Sequence, residues 1–142
     1  MKPYLKIVLF AVVFIAIVAI LTGIHKFNLK HPDTAKVKPD FFVTAIVLQK
    51  EFEDNEATAS SKYINKILEV TGTIVSVTKV DGTHTNISLK TNSDISSVIC
   101  TFLSANDLSK VSTGKEITLR GECSGFLLDV LLYNCALIAK GK

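Results

Sequence analysis

The chain has 142 residues, 48% of them apolar, and a formal charge of +3, which excludes a disordered tail and leaves room for one core of ordinary size. The charge is unevenly placed. From Pro39 to Lys142 ten Lys and Arg face twelve Asp and Glu, so this stretch carries about −2 and the basic excess lies before it. A mildly acidic domain is a poor start for a polyanion binder.

Taken in chain order, Ile7 to Ile24 comes first, an apolar run without a charged residue. As a helix its eighteen positions reach about 27 Å, close to a hydrocarbon core. The predicted element is a transmembrane helix over 7–24, inside an anchor region 1–25. A cleaved secretory signal is the alternative, since Lys2 and Lys6 supply a basic leader. The run ends in Leu21-Thr22-Gly23-Ile24-His25, with neither an A-x-A-like pair nor a cysteine that could accept a lipid, which favours the uncleaved anchor. Lys26, Lys30, Lys36 and Lys38 rival Lys2 and Lys6 across the run, so charge asymmetry alone does not orient it. A short tail before a signal-like helix stays in the cytoplasm by the first-helix tendency, which places the remainder on the extracytoplasmic, periplasmic side. His25 to Asp40, with Pro32, Pro39 and no apolar period, reads as an extended spacer, giving a linker over 26–42.

The domain then runs over 43–142. Thr44 is placed to cap a helix from about Ala45 to Ala59, with Ala45, Leu48, Phe52 and Ala59 on one face and Lys50, Glu53, Asp54 and Glu56 on the other. Ile67 to Val80 is a long β-branched run, and Asp81-Gly82 gives a type I′ hairpin signal into Thr83 to Lys90. Apolar positions in the long run switch from even (Leu68, Val70, Ile74) to odd (Val75, Val77), with Gly72 between. Side chains alternate strictly across a pleated strand, so the switch predicts a bulge or bend that lets one strand serve two faces. Val98, Cys100 and Phe102 alternate in a third strand. Ser104 and Asp107 are spaced as a capping box for a short helix ending near Lys110. Ile117 to Cys123 and Asp129 to Ile138 complete five strands.

Five strands, a long bent first one and a helix between the third and fourth are the layout of an OB-fold, a partly open Greek-key barrel. The expected fold class is therefore all-β with accessory helices, the barrel preceded by a surface helix and the N-terminal transmembrane helix. Residues 43 to 139, through Lys62-Tyr63, Val70-Thr71-Gly72-Thr73-Ile74, Cys100-Thr101-Phe102, Gly121-Glu122-Cys123-Ser124-Gly125-Phe126 and Asn134-Cys135, resemble the tRNA-anticodon-like OB-fold family of bacterial membrane-associated and lipoprotein-type proteins. The resemblance implies the fold and an N-terminal signal or anchor. Its motifs are structural, and it brings no catalytic set.

Candidate chemistry is sparse. Gly121-Glu122-Cys123-Ser124-Gly125 has the G-x-C-x-G form of a nucleophile elbow, but no histidine follows it, the last being His84. No enzymatic activity and no catalytic residue are expected. Cys100, Cys123 and Cys135 have no CxxC spacing and His25, His31 and His84 are scattered, so neither a metal site nor a cofactor is expected. The cysteines are either small buried residues or include one disulfide, for which Cys123 and Cys135 are the pair, since they lie on strands joined by a short turn. Nucleic-acid binding needs cations and aromatic platforms. Arg120 is the only arginine, and the aromatics after the surface helix are Tyr63, Phe102, Phe126 and Tyr133. The function expected is a membrane-anchored binding module for a protein or small ligand of the cell envelope, with a single-stranded nucleic-acid binder as the alternative. OB-folds place ligands near the loops joining strands one and two and strands four and five, here Asp81 to Thr85 and Ser124 to Leu128.

Overall fold

The computed structural model describes residues 2–27, 33–103 and 108–138. They fall into two compact units, Met1–His31 and Pro32–Lys142.

The first unit is helix α1 (Pro3–Phe27). Its stretch Pro3–Gly23 has a mean hydropathy of 2.9, and none of its residues is buried. Such a helix is long and apolar enough to cross a membrane.

The second unit begins with strand β1 (Phe41–Thr44), continues through helices α2 (Ala45–Asp54) and α3 (Glu56–Tyr63), and then forms strands β2 (Ile67–Lys79), β3 (Thr85–Leu89), β4 (Val98–Phe102), β5 (Glu116–Phe126) and β6 (Val130–Leu137). A 3₁₀ turn, Leu108–Lys110, precedes β5. The capping residues expected at Ser104 and Asp107 lie outside the described residues. Sheet order is β1-β2-β3-β4-β6-β5, and β2 also pairs with β5, so five strands close into a barrel with β1 added at its side. This is the expected mainly-β barrel with one strand more.

Closure depends on β2 changing partners. Ile67 to Thr73 pair with β5, whereas Ile74 to Lys79 pair with β3. The register slips between Ile74 and Ser76, leaving Val75 as the extra, exposed residue. The phase switch in the sequence thus marks a real bulge, and the bend it makes is what lets a short barrel close. Gly72 is not the bulge. It is required because a Cβ there would lie 3.0 Å from that of Ala45 and 3.3 Å from that of Leu89, so its missing side chain admits the first turn of α2 against the sheet.

Thr44 does cap α2, its hydroxyl accepting from the Val47 amide at 3.2 Å. The helix expected to reach Ala59 breaks at Asn55, whose backbone is extended and whose side chain caps α3 by accepting from the Thr58 amide at 3.0 Å. Asn competes with helical backbone through such bonds, and the break turns Tyr63 into the core. Leu48, Phe52 and Tyr63 are fully buried against inward residues of the barrel such as Leu68, Leu119 and Leu132. Phe52 stacks on Phe126 of β5 with centroids 5.3 Å apart, and Phe41 meets Tyr63 edge-on at 5.2 Å.

The expected spacer, 26–42, includes residues that hydrogen bonds tie to the barrel. Residues 33–40 form a strap on the barrel, with Thr34 and Pro39 buried, Thr34 donating to the Asn134 carbonyl at 2.5 Å, and the Asp40 amide bonded to the Ile67 carbonyl at 2.7 Å. Arg120 locks it. Its Nε donates to Glu69 at 2.7 Å, and its other arm donates to the carbonyls of Ala35 and Val37, each at 3.0 Å. Prolines and lysines without an apolar period describe a free spacer and a hydrogen-bonded strap equally well, which is why the sequence does not separate them. Arg120→Ala is expected to cost about 1–2 kcal/mol, because it strands a mostly shielded carboxylate and frees two carbonyls. Hydrogen exchange over residues 33–40 should speed up while that of β3 and β4 holds; unchanged exchange in the strap would refute the lock.

A candidate ligand-binding face

The outward side chains of the barrel form two rows that can be followed strand by strand through the register. The first runs Thr78, Asn86, Thr101 on β2, β3 and β4, and resumes with Tyr133 and Glu122 paired across β6 and β5. The second runs Ser76, Ser88, Ile99, Leu131 and Gly125. Because inward neighbours such as Ile87, Cys100 and Leu132 are buried, alternation turns both rows to solvent. Thr101 donates to the Asn86 side chain at 2.8 Å, which orients that amide across the sheet. Glu122 is the one charge among the ten residues, and none is basic.

Two loops bound this face at opposite ends. The β2–β3 loop does not form the expected two-residue I′ turn, since Gly82 keeps an ordinary φ. The Val80 amide instead donates to the His84 carbonyl at 3.0 Å, and the Asp81 carboxylate gathers the amides of His84 and Thr83 at 2.6 and 2.7 Å. Those bonds, with the Thr83 hydroxyl and the His84 ring, hold Asp81 well below the usual carboxylate range. At the far end the β5–β6 turn exposes Leu127 and Leu128. Asp129 ties it to the preceding loop by accepting from the Ser97 amide and hydroxyl at 2.7 and 2.8 Å. Ile95, in the tied loop, is also exposed. The loop residues expected from the sequence, Asp81 to Thr85 and Ser124 to Leu128, are therefore not brought together; they rim the same face from its two ends. The rows between them were missed, although simple alternation along each strand flags their positions.

A second depression, of about 410 Å³, lies over β1 and is lined by Phe42, Val43, Thr44, Val47, Glu69 and Thr71. Its lining is mainly apolar, and its one carboxylate, that of Glu69, is already engaged by Arg120. Among the described residues no three His, Cys, Asp or Glu converge to hold a metal.

Cys100, Cys123 and Cys135 are free and buried, so the disulfide expected between Cys123 and Cys135 is not formed. The register explains it. Cys123 faces Leu132, and Asn134, in the left-handed region at φ 51°, inserts an extra residue into β6 that turns Cys135 toward Gly121 and Cys100. Burial pushes the Cys123 thiol up to about 11 and, reinforced by Cys135, raises that of Cys100. All three thiols are accordingly expected to resist maleimide at neutral pH until the chain is unfolded, when mass spectrometry should count three adducts. Rapid labelling of the native protein would contradict this packing. The G-x-C-x-G stretch lies within β5 and its end, not at a strand-to-helix turn.

Residues 1–137 match the tRNA_anti-like family. No curated protein matches the chain. Among solved structures, it is similar to a "putative nucleic acid-binding lipoprotein" of Klebsiella pneumoniae, with 22% identity, a TM-score of 0.57, and coverage of 68% of this chain and 91% of that one. At that identity the likeness speaks for the fold. Barrel closure through a bulged β2, the capping helices and the match over nearly the whole length agree, and the chain belongs to the tRNA_anti-like family.

Proposed function

We propose that the protein is a non-enzymatic binding module, held to a membrane by α1 and presenting the outer face of β2, β3, β4 and β6 to a protein or small ligand in the cell envelope. The observation that carries this reading is the outward surface of β3, β4 and β6, where Asn86, Ser88, Ile99, Thr101, Leu131 and Tyr133 bring no charge, together with the exposed apolar helix α1. The proposal puts the folded unit on the extracytoplasmic side of that membrane. A reporter fused at Lys142 should be active only outside the cytoplasm, and cytoplasmic activity would overturn that orientation.

Single-stranded nucleic acid is the second reading, favoured by the description of the Klebsiella pneumoniae neighbour. Phosphate contacts need free cations, and the sole arginine is engaged by Glu69 and the strap. Steeply salt-dependent binding of a thymidine oligonucleotide by the full chain would decide for this reading.

A further inference from the structure

Resting on α1 as the anchor in that reading, we infer that the apolar tip made by the β3–β4 loop and the β5–β6 turn dips into the bilayer that holds this same chain. Three large aliphatic side chains stand out there, Leu127 at 87% exposure, Ile95 at 74% and Leu128 at 54%. They are held in place. The Asp129 carboxylate takes the Ser97 amide and hydroxyl, the Val130 amide donates to the Ser97 carbonyl at 3.0 Å, and the Leu127 amide donates to the Asp129 carbonyl at 3.2 Å. A single knot of hydrogen bonds thus lies within two residues of all three, and it keeps apolar side chains outward that an unconstrained turn would fold back. Their chemistry selects the partner. Protein-binding centres favour Trp, Tyr and Arg over Leu, whereas aliphatic side chains gain by burial at the headgroup–acyl boundary. Residues 91–97 and 124–129 contain two charges, Asp94 and Asp129, and the second is spent on Ser97, so entry is driven by apolar burial and not by attraction to anionic lipid. The tether has the reach. Helix α1 ends at Phe27 and the strap begins at Asp33, six steps that extend at most about 20 Å. The strap is fixed to the barrel at Asn134. Leu128 lies six residues before Asn134, about 20 Å along the strand, which strand tilt in a barrel reduces to roughly 15 Å of height. A tip that far from the strap can touch the bilayer while α1 crosses it. Tethering also presents the bilayer at high effective concentration, so three side chains suffice.

The test reconstitutes the full chain in phosphatidylcholine nanodiscs and follows amide resonances by NMR with two probes, a lipid carrying a nitroxide near the top of its acyl chain and a soluble gadolinium chelate. The labelled lipid should erase the signals of Ile95, Leu127 and Leu128 together with those within α1, while Asp81 to His84, at the other end of the barrel, persist. The chelate should do the reverse. Raising salt from about 50 to 200 mM should change neither pattern. Ile95→Ser, Leu127→Ser and Leu128→Ser combined, all at exposed positions, should restore the tip signals in labelled discs and leave the buried residues of β3 and β4 unshifted. The inference is overturned if the tip stays as bright as Asp81 to His84 in labelled discs, or if the triple variant is erased equally. Loss within α1 without loss at the tip removes the inference and keeps the anchor; no loss within α1 removes both. Should the tip be shielded from the chelate yet untouched by the lipid, and that shielding vanish in discs holding one chain, the occupant is a second copy and the bilayer assignment falls.

Discussion

Gly121→Ala lowers the stability of the barrel by about 2 kcal/mol, which for a domain of this size is a fall in Tm of roughly 8–16 °C. The added methyl has no room: it would lie 2.5 Å from Cys135 Sγ, 3.2 Å from the Leu132 Cβ and 3.3 Å from the Tyr133 carbonyl oxygen. Two of those atoms belong to backbone or to its first carbon and cannot swing away. The third can be deleted. Cys135→Ala removes the sulfur at a modest cost of about 1 kcal/mol for the small void, and in the double variant the new methyl occupies part of that void. The two substitutions should therefore be non-additive by about 1 kcal/mol or more in thermal melts of the full chain. Strict additivity would mean that Cys135 does not point at Gly121, and the account of the bulge at Asn134 would fall with it.

Phe52→Ala is expected to cost about 3–5 kcal/mol, a large share of the stability of any domain this size. Its ring is 1% exposed, stacks on Phe126 at 5.3 Å with an interplanar angle of 22°, and lies 6.1 Å from Tyr63. It thereby joins α2 to both α3 and the barrel. Phe52→Leu, which keeps most of the volume, should cost under about 1.5 kcal/mol. Urea titration followed by circular dichroism measures both. Hydrogen exchange on the alanine variant should show protection lost over Ala45 to Tyr63 first, because the cavity opens beneath those two helices. A loss below about 1 kcal/mol would be incompatible with a ring buried on both faces.

Much of the barrel was legible because its signals are local. Strand β4 alternates at Val98, Cys100 and Phe102 and appears where alternation put it, and the even-to-odd switch after Ile74 announced a bulge that closure then used. Strand β1 was hidden for the opposite reason. Phe41 to Thr44 is too short for a period to show, and its partners, Leu68 to Thr71, lie on the far side of two helices. The place of Cys135 was hidden in the same way: the extra residue at Asn134 turns it into the interior beside Gly121 and Cys100, while Cys123 lies opposite Leu132. The hairpin at Asp81-Gly82 was placed correctly as a turn, but Asp81 has a stronger option than a type I′ geometry, accepting two amides on its own carboxylate.

By itself, then, the sequence determined the apolar N-terminal helix, the order of the five barrel strands and the parity of most core positions, because each depends on residues within one or two turns or pleats of one another. Only the tertiary structure decided which outward residues share a row, that Arg120 is engaged by Glu69 and the strap rather than turned to solvent, and that Cys135 faces Gly121 and Cys100 instead of Cys123. Those facts rest on register between strands far apart in the chain, and register is fixed by the closing of the barrel as a whole. A face made from four strands has no signature in any one of them.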